Sequence, residues 1–310
     1  MTAQVLFMAG HRWPDYAEVL PAAIAAAGVD AAVSPDIAAD AADYIVLGPA
    51  GDPAEIDFGA FPRLKAVFSL WAGVETIVGN PTLKVPLTRM VDPGLKQGMV
   101  EWVTGHVLRH HLGMDAQIVN PEHAWDPAPP PLASARRVTV LGLGALGRAC
   151  AEALAGLGFD VTGWARSPKD VPGVRCLSGS DPGEALDGAR IVVLLLPLTE
   201  ETDALLSAPL LARLAPGAVV LNPGRGGLLD DEALLAALDA GQVGHATLDT
   251  FRVEPLPTGH PYWLHPRVTV TPHIASETRP GTASLAIAEN LRRAIQGEPL
   301  LFVVDRTRGY

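Results

Sequence analysis

Only two cysteines, Cys150 and Cys176, occur in 310 residues, and their spacing fits neither a metal site nor a redox pair. A reducing, cytoplasmic compartment is therefore expected. Positive charge is also scarce: 23 Lys and Arg against 34 Asp and Glu leave a net charge of −11. Nucleic acids and anionic membranes both require a basic face, so neither is an expected partner. No apolar run is long enough to span a bilayer. The chain passes from Met1 straight into the apolar stretch 5–9, without a basic region or cleavage site, so no leader peptide is expected. Repeats and low-complexity tracts are missing, apart from the proline cluster 126–131, DPAPPP.

What remains is a chain that is 48% hydrophobic and 18% charged, long for one domain and better divided into two. The stretch 137–167, RVTVLGLGALGRACAEALAGLGFDVTGWARS, organises it. Residues 137–141 form an apolar, β-branched run suited to a buried parallel strand. Gly142-Leu143-Gly144-Ala145-Leu146-Gly147 then completes a G-x-G-x-x-G, residues 148–157 read as a helix stopped by Gly158, and 160–164 read as the next strand. In that context Gly142 makes the tight turn, Gly144 leaves room for a pyrophosphate, and Gly147 lets the helix press on the sheet. The free N–H groups at the helix start then face the phosphates. A dinucleotide site is the reading.

An Asp or Glu about twenty residues on usually binds the ribose 2′-hydroxyl of NAD. Trp164-Ala165-Arg166-Ser167-Pro168-Lys169 has no carboxylate there. Arg166, Ser167 and Lys169 suit a 2′-phosphate instead, so NADP is the preferred cofactor, with NAD possible.

Residues 1–91 alternate short strands (4–9, 44–47, 65–70) with helices such as 17–27, which indicates a smaller parallel-sheet domain. Within it, a strand ends at Trp71-Ala72-Gly73. Its turn amides can hold a carboxylate, or Trp71 can simply pack in the core; the pattern favours neither. Asp92 and Pro93 suit the start of a helix running to about 119, a bridge to the second domain. His106 and His110 lie four apart on it, but no third ligand has suitable spacing, so no metal is assigned. Beyond the prolines come strands at 191–196, 218–222, 246–249 and 268–271, with a helix at 230–240.

In an open α/β sheet, ligands sit outside the carboxyl ends of the strands. Those ends carry Pro197, then Asn222-Pro223-Gly224-Arg225-Gly226-Gly227, then Asp249 and Glu254, then Thr271-Pro272-His273. Together they suit reduction of a ketone. A protonated imidazole donates the proton, a carboxylate orients and charges it, and an arginine polarises the carbonyl.

Taken together, these motifs resemble the D-2-hydroxyacid dehydrogenase family, in its glyoxylate/hydroxypyruvate reductase A branch. The similarity runs nearly end to end. It includes 142–147, Leu196-Pro197 with Thr199 and Thr202, 222–227, 248–257 (LDTFRVEPLP), His260-Pro261, 271–276 (TPHIAS) and the closing 304–310. The resemblance implies a catalytic trio of Arg225, Glu254 and His273, with His273 as acid/base. It implies cofactor contacts at Gly142, Gly144, Ala145, Leu146, Gly147, Arg166, Ser167, Lys169, Leu196, Pro197, Thr202, Pro223, Gly224, Asp249, His273 and Ala275. It implies substrate contacts at Trp71, Ala72, Gly73, Arg225 and Arg279. Trp71 stands where relatives often carry glycine.

The implied fold is two doubly wound parallel α/β domains that close over substrate like a hinge. A flavodoxin-like substrate domain (1–98, completed by 283–310) accompanies a Rossmann dinucleotide domain (99–282), and the last helix, 282–296, carries the chain back. Homodimers are common in the family. The implied activity is NADPH-dependent reduction of small 2-oxo acids. Another branch acting on a different acid, or a dinucleotide-sensing binding protein, stands as the alternative.

Overall fold

Short apolar runs become buried parallel strands in both halves of the chain. The computed structural model describes residues 2–48 and 52–309. Two units emerge: Met1–Leu95 with Glu277–Tyr310, and Lys96–Ser276. The seams fall a few residues ahead of 98/99 and 282/283, so the whole helix Pro280–Gln296 belongs to the first unit. Tyr310, the last residue of the closing motif, lies outside the described residues.

In the first unit, β1 (Ala3–Met8), β2 (Ala31–Ser34), β3 (Tyr44–Leu47), β4 (Ala66–Ser69) and β5 (Leu87–Thr88) form one sheet. Its order is β2-β1-β3-β4-β5, all pairs parallel, which is the flavodoxin-like arrangement. Leu6, Ile45, Leu47 and Val67 build its core with Phe58, Ile77 and Leu83. The helix expected at 17–27 is Val19–Ala26, preceded by a separate turn of helix, Trp13–Tyr16.

In the second unit, β6 (Arg137–Leu141), β7 (Asp160–Ala165), β8 (Arg175–Ser178), β9 (Ile191–Leu194), β10 (Ala218–Asn222), β11 (Val243–Leu248) and β12 (Val268–Val270) form the other sheet. The order β12-β11-β10-β9-β6-β7-β8 is parallel throughout. Read from β8, this is the Rossmann order with one strand added. The connection reverses between β6 and β9, and the glycine turn follows β6.

The bridging helix is Pro93–Leu112, not one helix to 119. The Asp92 carboxylate starts it by accepting the Gly94 and Leu95 N–H groups at 2.8 and 3.2 Å. Gly113 ends it in the left-handed region (φ 65°), and a separate turn of helix, Met114–Ile118, follows. Glycine tolerates that conformation without steric cost, which makes it a common helix stop. Met99, Val103 and Val107 pack with Val138, Val140 and Leu154 in the second unit's core.

Leu154 is fully buried in that core, on the helix behind the glycine turn. Leu154→Ala is expected to cost about 2–5 kcal/mol by loss of burial and creation of a cavity. Urea denaturation followed by circular dichroism measures it. A loss below about 1 kcal/mol would mean that the site collapses around the smaller side chain.

Candidate active site

The glycine turn carries its own test of whether a dinucleotide fits. Gly142 sits at φ 104°, and a Cβ there would lie 2.4 Å from the Leu195 carbonyl oxygen. A Cβ on Gly147 would lie 1.8 Å from the Gly142 oxygen, so the helix Ala145–Gly156 is held against the turn by the lack of side chains. Gly144 is the opposite case: it is exposed, and a Cβ would meet no protein atom within 4 Å. That open side, at a helix N-terminus that no side chain caps, is a cradle for an anion. Ala145 and Leu146 supply the first helical N–H groups. The residues present therefore fit a bound pyrophosphate.

At the end of β7, Arg166, Ser167 and Lys169 are exposed. Arg166 Nη1 pairs with Glu201 Oε2. Past β9, the Thr202 hydroxyl donates to the Pro197 carbonyl (2.7 Å) and accepts the Thr199 N–H (2.8 Å), which fixes the turn after Leu196. Pro223 and Gly224 are buried after β10, and the Asn222 amide holds the Arg225 carbonyl at 2.9 Å.

Gly226 brings two strand ends together. A Cβ on it would lie 2.0 Å from the Phe251 carbonyl carbon, so only glycine lets the loop after β10 touch the loop after β11. Arg225 rides on the first loop and Glu254 on the second. Glu254 Oε1 accepts the Phe251 N–H at 2.8 Å, and Glu254 Oε2 lies 2.7 Å from His273 Nδ1.

The segment carrying His273 is fastened by Asp249, which is fully buried. Asp249 Oδ1 accepts the Thr271 hydroxyl (2.5 Å) and the Ile274 N–H (2.9 Å), and Oδ2 accepts the Ala275 N–H (2.8 Å). The Asp249 carbonyl accepts the His273 N–H at 2.9 Å. His273 is thereby held at φ 54°, a conformation that non-glycine residues seldom adopt. The family resemblance implies only a cofactor contact for Asp249. Its fastening role depends on contacts across 22–26 residues, for which the local sequence carries no signal.

Arg225, Glu254 and His273 thus converge, and their charges act on one another. The hydrogen bond to Glu254 raises the His273 pKa above 6.5; burial and Arg225 oppose this, while the Glu254 and Asp249 charges assist. Burial acts to raise the Glu254 pKa, but His273, the Phe251 N–H and Arg225 outweigh it and bring the value below 4.5. Such a pair is an imidazolium held charged beside a guanidinium, able to give a proton to an oxygen that the guanidinium polarises.

In the first unit, Trp71 is half-buried against the core, with its N–H on Ser69 Oγ (3.0 Å) and its carbonyl on the Met90 N–H (2.8 Å). The Ala72 and Gly73 N–H groups meet no protein acceptor among the described residues. The indole therefore packs against the core, the simpler of the two readings. The Thr278 hydroxyl donates to the Leu70 carbonyl at 2.7 Å, beside exposed Arg279, the residue that opens the helix Pro280–Gln296.

A Rossmann sheet with a glycine cradle, and an Arg–Glu–His group on its strand ends, define a dinucleotide-dependent oxidoreductase. Residues 104–275 match the family "D-isomer specific 2-hydroxyacid dehydrogenase, NAD binding domain". A glyoxylate/hydroxypyruvate reductase A of Serratia proteamaculans is 42% identical over 257 residues, covering 80% of this chain and 82% of its own. A D-isomer specific 2-hydroxyacid dehydrogenase of Xanthobacter autotrophicus, solved with NADPH and MES, superposes with TM-score 0.88 at 40% identity over 100% of both chains. An NADPH-dependent glyoxylate/hydroxypyruvate reductase of Sinorhizobium meliloti, solved with NADP and sulfate, also gives 0.88, at 33% identity and 100% coverage of both. The chain belongs to the D-isomer specific 2-hydroxyacid dehydrogenase family, whose members are NAD(P)-dependent oxidoreductases.

The coupled pair sets a pH window. Glu254 contributes stability above its ordinary 4.5 and loses it as pH falls through its lowered folded value. His273 contributes below its ordinary 6.5 and loses it as pH rises through its raised folded value. The pair therefore acts in full between these ordinary values. NMR titration of the His273 ring should give a midpoint above 6.5, and Glu254→Gln should move it down. An unmoved midpoint would show that the carboxylate is not the cause.

Proposed function

We propose that this chain is an NADPH-dependent reductase of small 2-oxo acids of the glyoxylate and hydroxypyruvate type, yielding the 2-hydroxy acids. The observation that carries the reading is the 2.7 Å contact between His273 and Glu254 beside Arg225, on the strand ends of the sheet that bears the glycine cradle. NADPH, when bound, supplies the hydride. Gly142, Gly144, Ala145, Leu146 and Gly147 hold its pyrophosphate. Arg166, Ser167 and Lys169 receive its 2′-phosphate, and Leu196, Pro197, Thr202, Pro223, Gly224, Asp249 and Ala275 complete its pocket.

The residues divide the remaining chemistry. Arg225 binds the acid group and polarises the carbonyl. His273, with Nδ1 occupied by Glu254, presents Nε2 to the carbonyl oxygen and delivers the proton. Glu254 keeps the imidazole charged and turned. Ala72 and Gly73 offer amides for the substrate carboxylate, with Trp71 and Arg279 as further contacts. The two free thiols support a cytoplasmic location. The exposed apolar side chains Ile118, Val119, Trp125 (94% exposed) and Leu132 support a homodimer formed by covering them. Light scattering should return twice the chain mass; a monomer would refute the dimer.

The test of function is a panel of small 2-oxo acids with NADPH and NADH side by side. NADPH should give the higher kcat/KM; equal or better use of NADH would sink the cofactor assignment. His273→Ala should lower kcat about 10²–10⁴-fold. Arg225→Ala should damage KM and kcat together, since Arg225 holds ground state and transition state alike. Full turnover by His273→Ala would refute the assigned acid.

A further inference from the structure

A second group of chemically able side chains lies in the same unit, away from the strand ends. His110 is near the end of the helix Pro93–Leu112, Asp115 is in the short helix after Gly113, and His245 is on β11. One donor atom from each lies within 4.8 Å of the other two. The two imidazole rings approach to 4.8 Å at a 44° tilt. His245 precedes Asp249 by four positions, so the group is about 13 Å along the strand from the residue that fastens His273.

We propose that His110, His245 and Asp115 bind a divalent first-row cation of the zinc type. Two imidazoles and one carboxylate are a borderline donor set that such ions favour over Mg²⁺ or Ca²⁺. Three donors around one zinc ion sit about 3–3.5 Å apart, so the group must contract by roughly an ångström. Asp115 is the donor that must shift: its side chain is 47% exposed, two residues past the left-handed Gly113, and its Arg109 contact moves with it.

The surroundings already hold each donor in the way that metal ligands are held. His110 Nε2 lies 2.9 Å from the Thr247 hydroxyl, and His245 Nε2 lies 2.8 Å from the Thr269 hydroxyl. With each Nε2–H donating to its threonine, the lone pair stays on Nδ1. Arg109 Nε donates to Asp115 Oδ1 at 2.7 Å, and Arg109 Nη2 donates to Thr269 Oγ1 at 3.1 Å. Hydrogen-bonded ligands of this kind fix ring orientation and raise affinity.

Protons offer little competition near neutral pH. Burial, then the neighbouring His245 and Arg109, push His110 down to about 3, with Asp115 opposing and His106 assisting. Burial and Arg109 push His245 to about 4, against Asp115 and with His106 and His265. Both shifts favour the neutral ring, the form that ligation requires. Arg109 is the one cation in the group, and its repulsion is expected to hold affinity in the micromolar range rather than the nanomolar, on the order of 1–10 µM.

The test uses the full, tag-free chain after EDTA treatment. Equilibrium dialysis with Zn²⁺, and visible absorption on addition of Co²⁺, report stoichiometry and geometry. The wild type should bind one ion per chain and melt at a higher temperature with Zn²⁺. Asp115→Asn and His245→Gln should each weaken binding at least tenfold, while Asp115→Asn, which breaks a half-exposed ion pair, should lower the melting temperature in EDTA by no more than a few degrees. His123→Ala, on the exposed stretch beyond the short helix, should bind as the wild type does. Absence of stoichiometric binding at 100-fold excess over about 1 µM, or unchanged affinity in both variants, would overturn the proposal.

Discussion

A buried negative charge sets the terms for the rest of the second unit. The Asp249 carboxylate has no contact with water, and an isolated charge in that position would cost several kcal/mol or more. It is tolerated because the segment after β12 folds over it and supplies the Thr271 hydroxyl and the Ile274 and Ala275 amides. That segment cannot loosen without stripping the carboxylate of its donors. His273 sits in the middle of it, in a backbone conformation that would otherwise relax. The fixed direction of the imidazole is thus a by-product of solvating an acid inside the protein.

Close approach of backbone to backbone does the same work on the neighbouring strand ends. Gly226 against Phe251 joins the loops after β10 and β11, and the Phe251 amide in turn holds Glu254. Arg252 adds a clamp, with Nη2 donating to the Gly227 and Leu229 carbonyls at 3.0 and 2.8 Å. The three loops are therefore set in place by contacts outside the trio, and the Glu254–His273 contact then turns the imidazole. Their mutual electrostatics act on a geometry that is already set.

Much of this was legible in the sequence where burial is continuous. Strands β3, β6 and β10 are mostly apolar, β-branched-rich runs, and their bounds were readable as such. The strands β2, β5 and β8 were not anticipated. Each lies at a sheet edge, and AAVS, LT and RCLS are short or polar enough to pass for loop. Strand β9 is shorter than expected because Leu195 and Leu196, though apolar, have already left the sheet. Gly113 was the overlooked mark in the bridging helix, although a glycine after a basic turn is a recognisable stop. Arg225, Glu254 and His273 could be named because all three follow strand ends. His110 was visible only beside His106; its grouping with His245 was not, since the two come from distant segments with no shared local pattern.

The pairing of Arg166 with Glu201 alters what recognition at the end of β7 can mean. The guanidinium is not an idle charge awaiting an anion; an acid from the loop after β9 already holds it. Any phosphate that engages Arg166 must either evict that glutamate or share the fork with it. If the 2′-phosphate is received there as proposed, its recognition is a contest between two anions for one cation. Added salt would screen both pairings, so an anion held there would compete on terms that ionic strength alters.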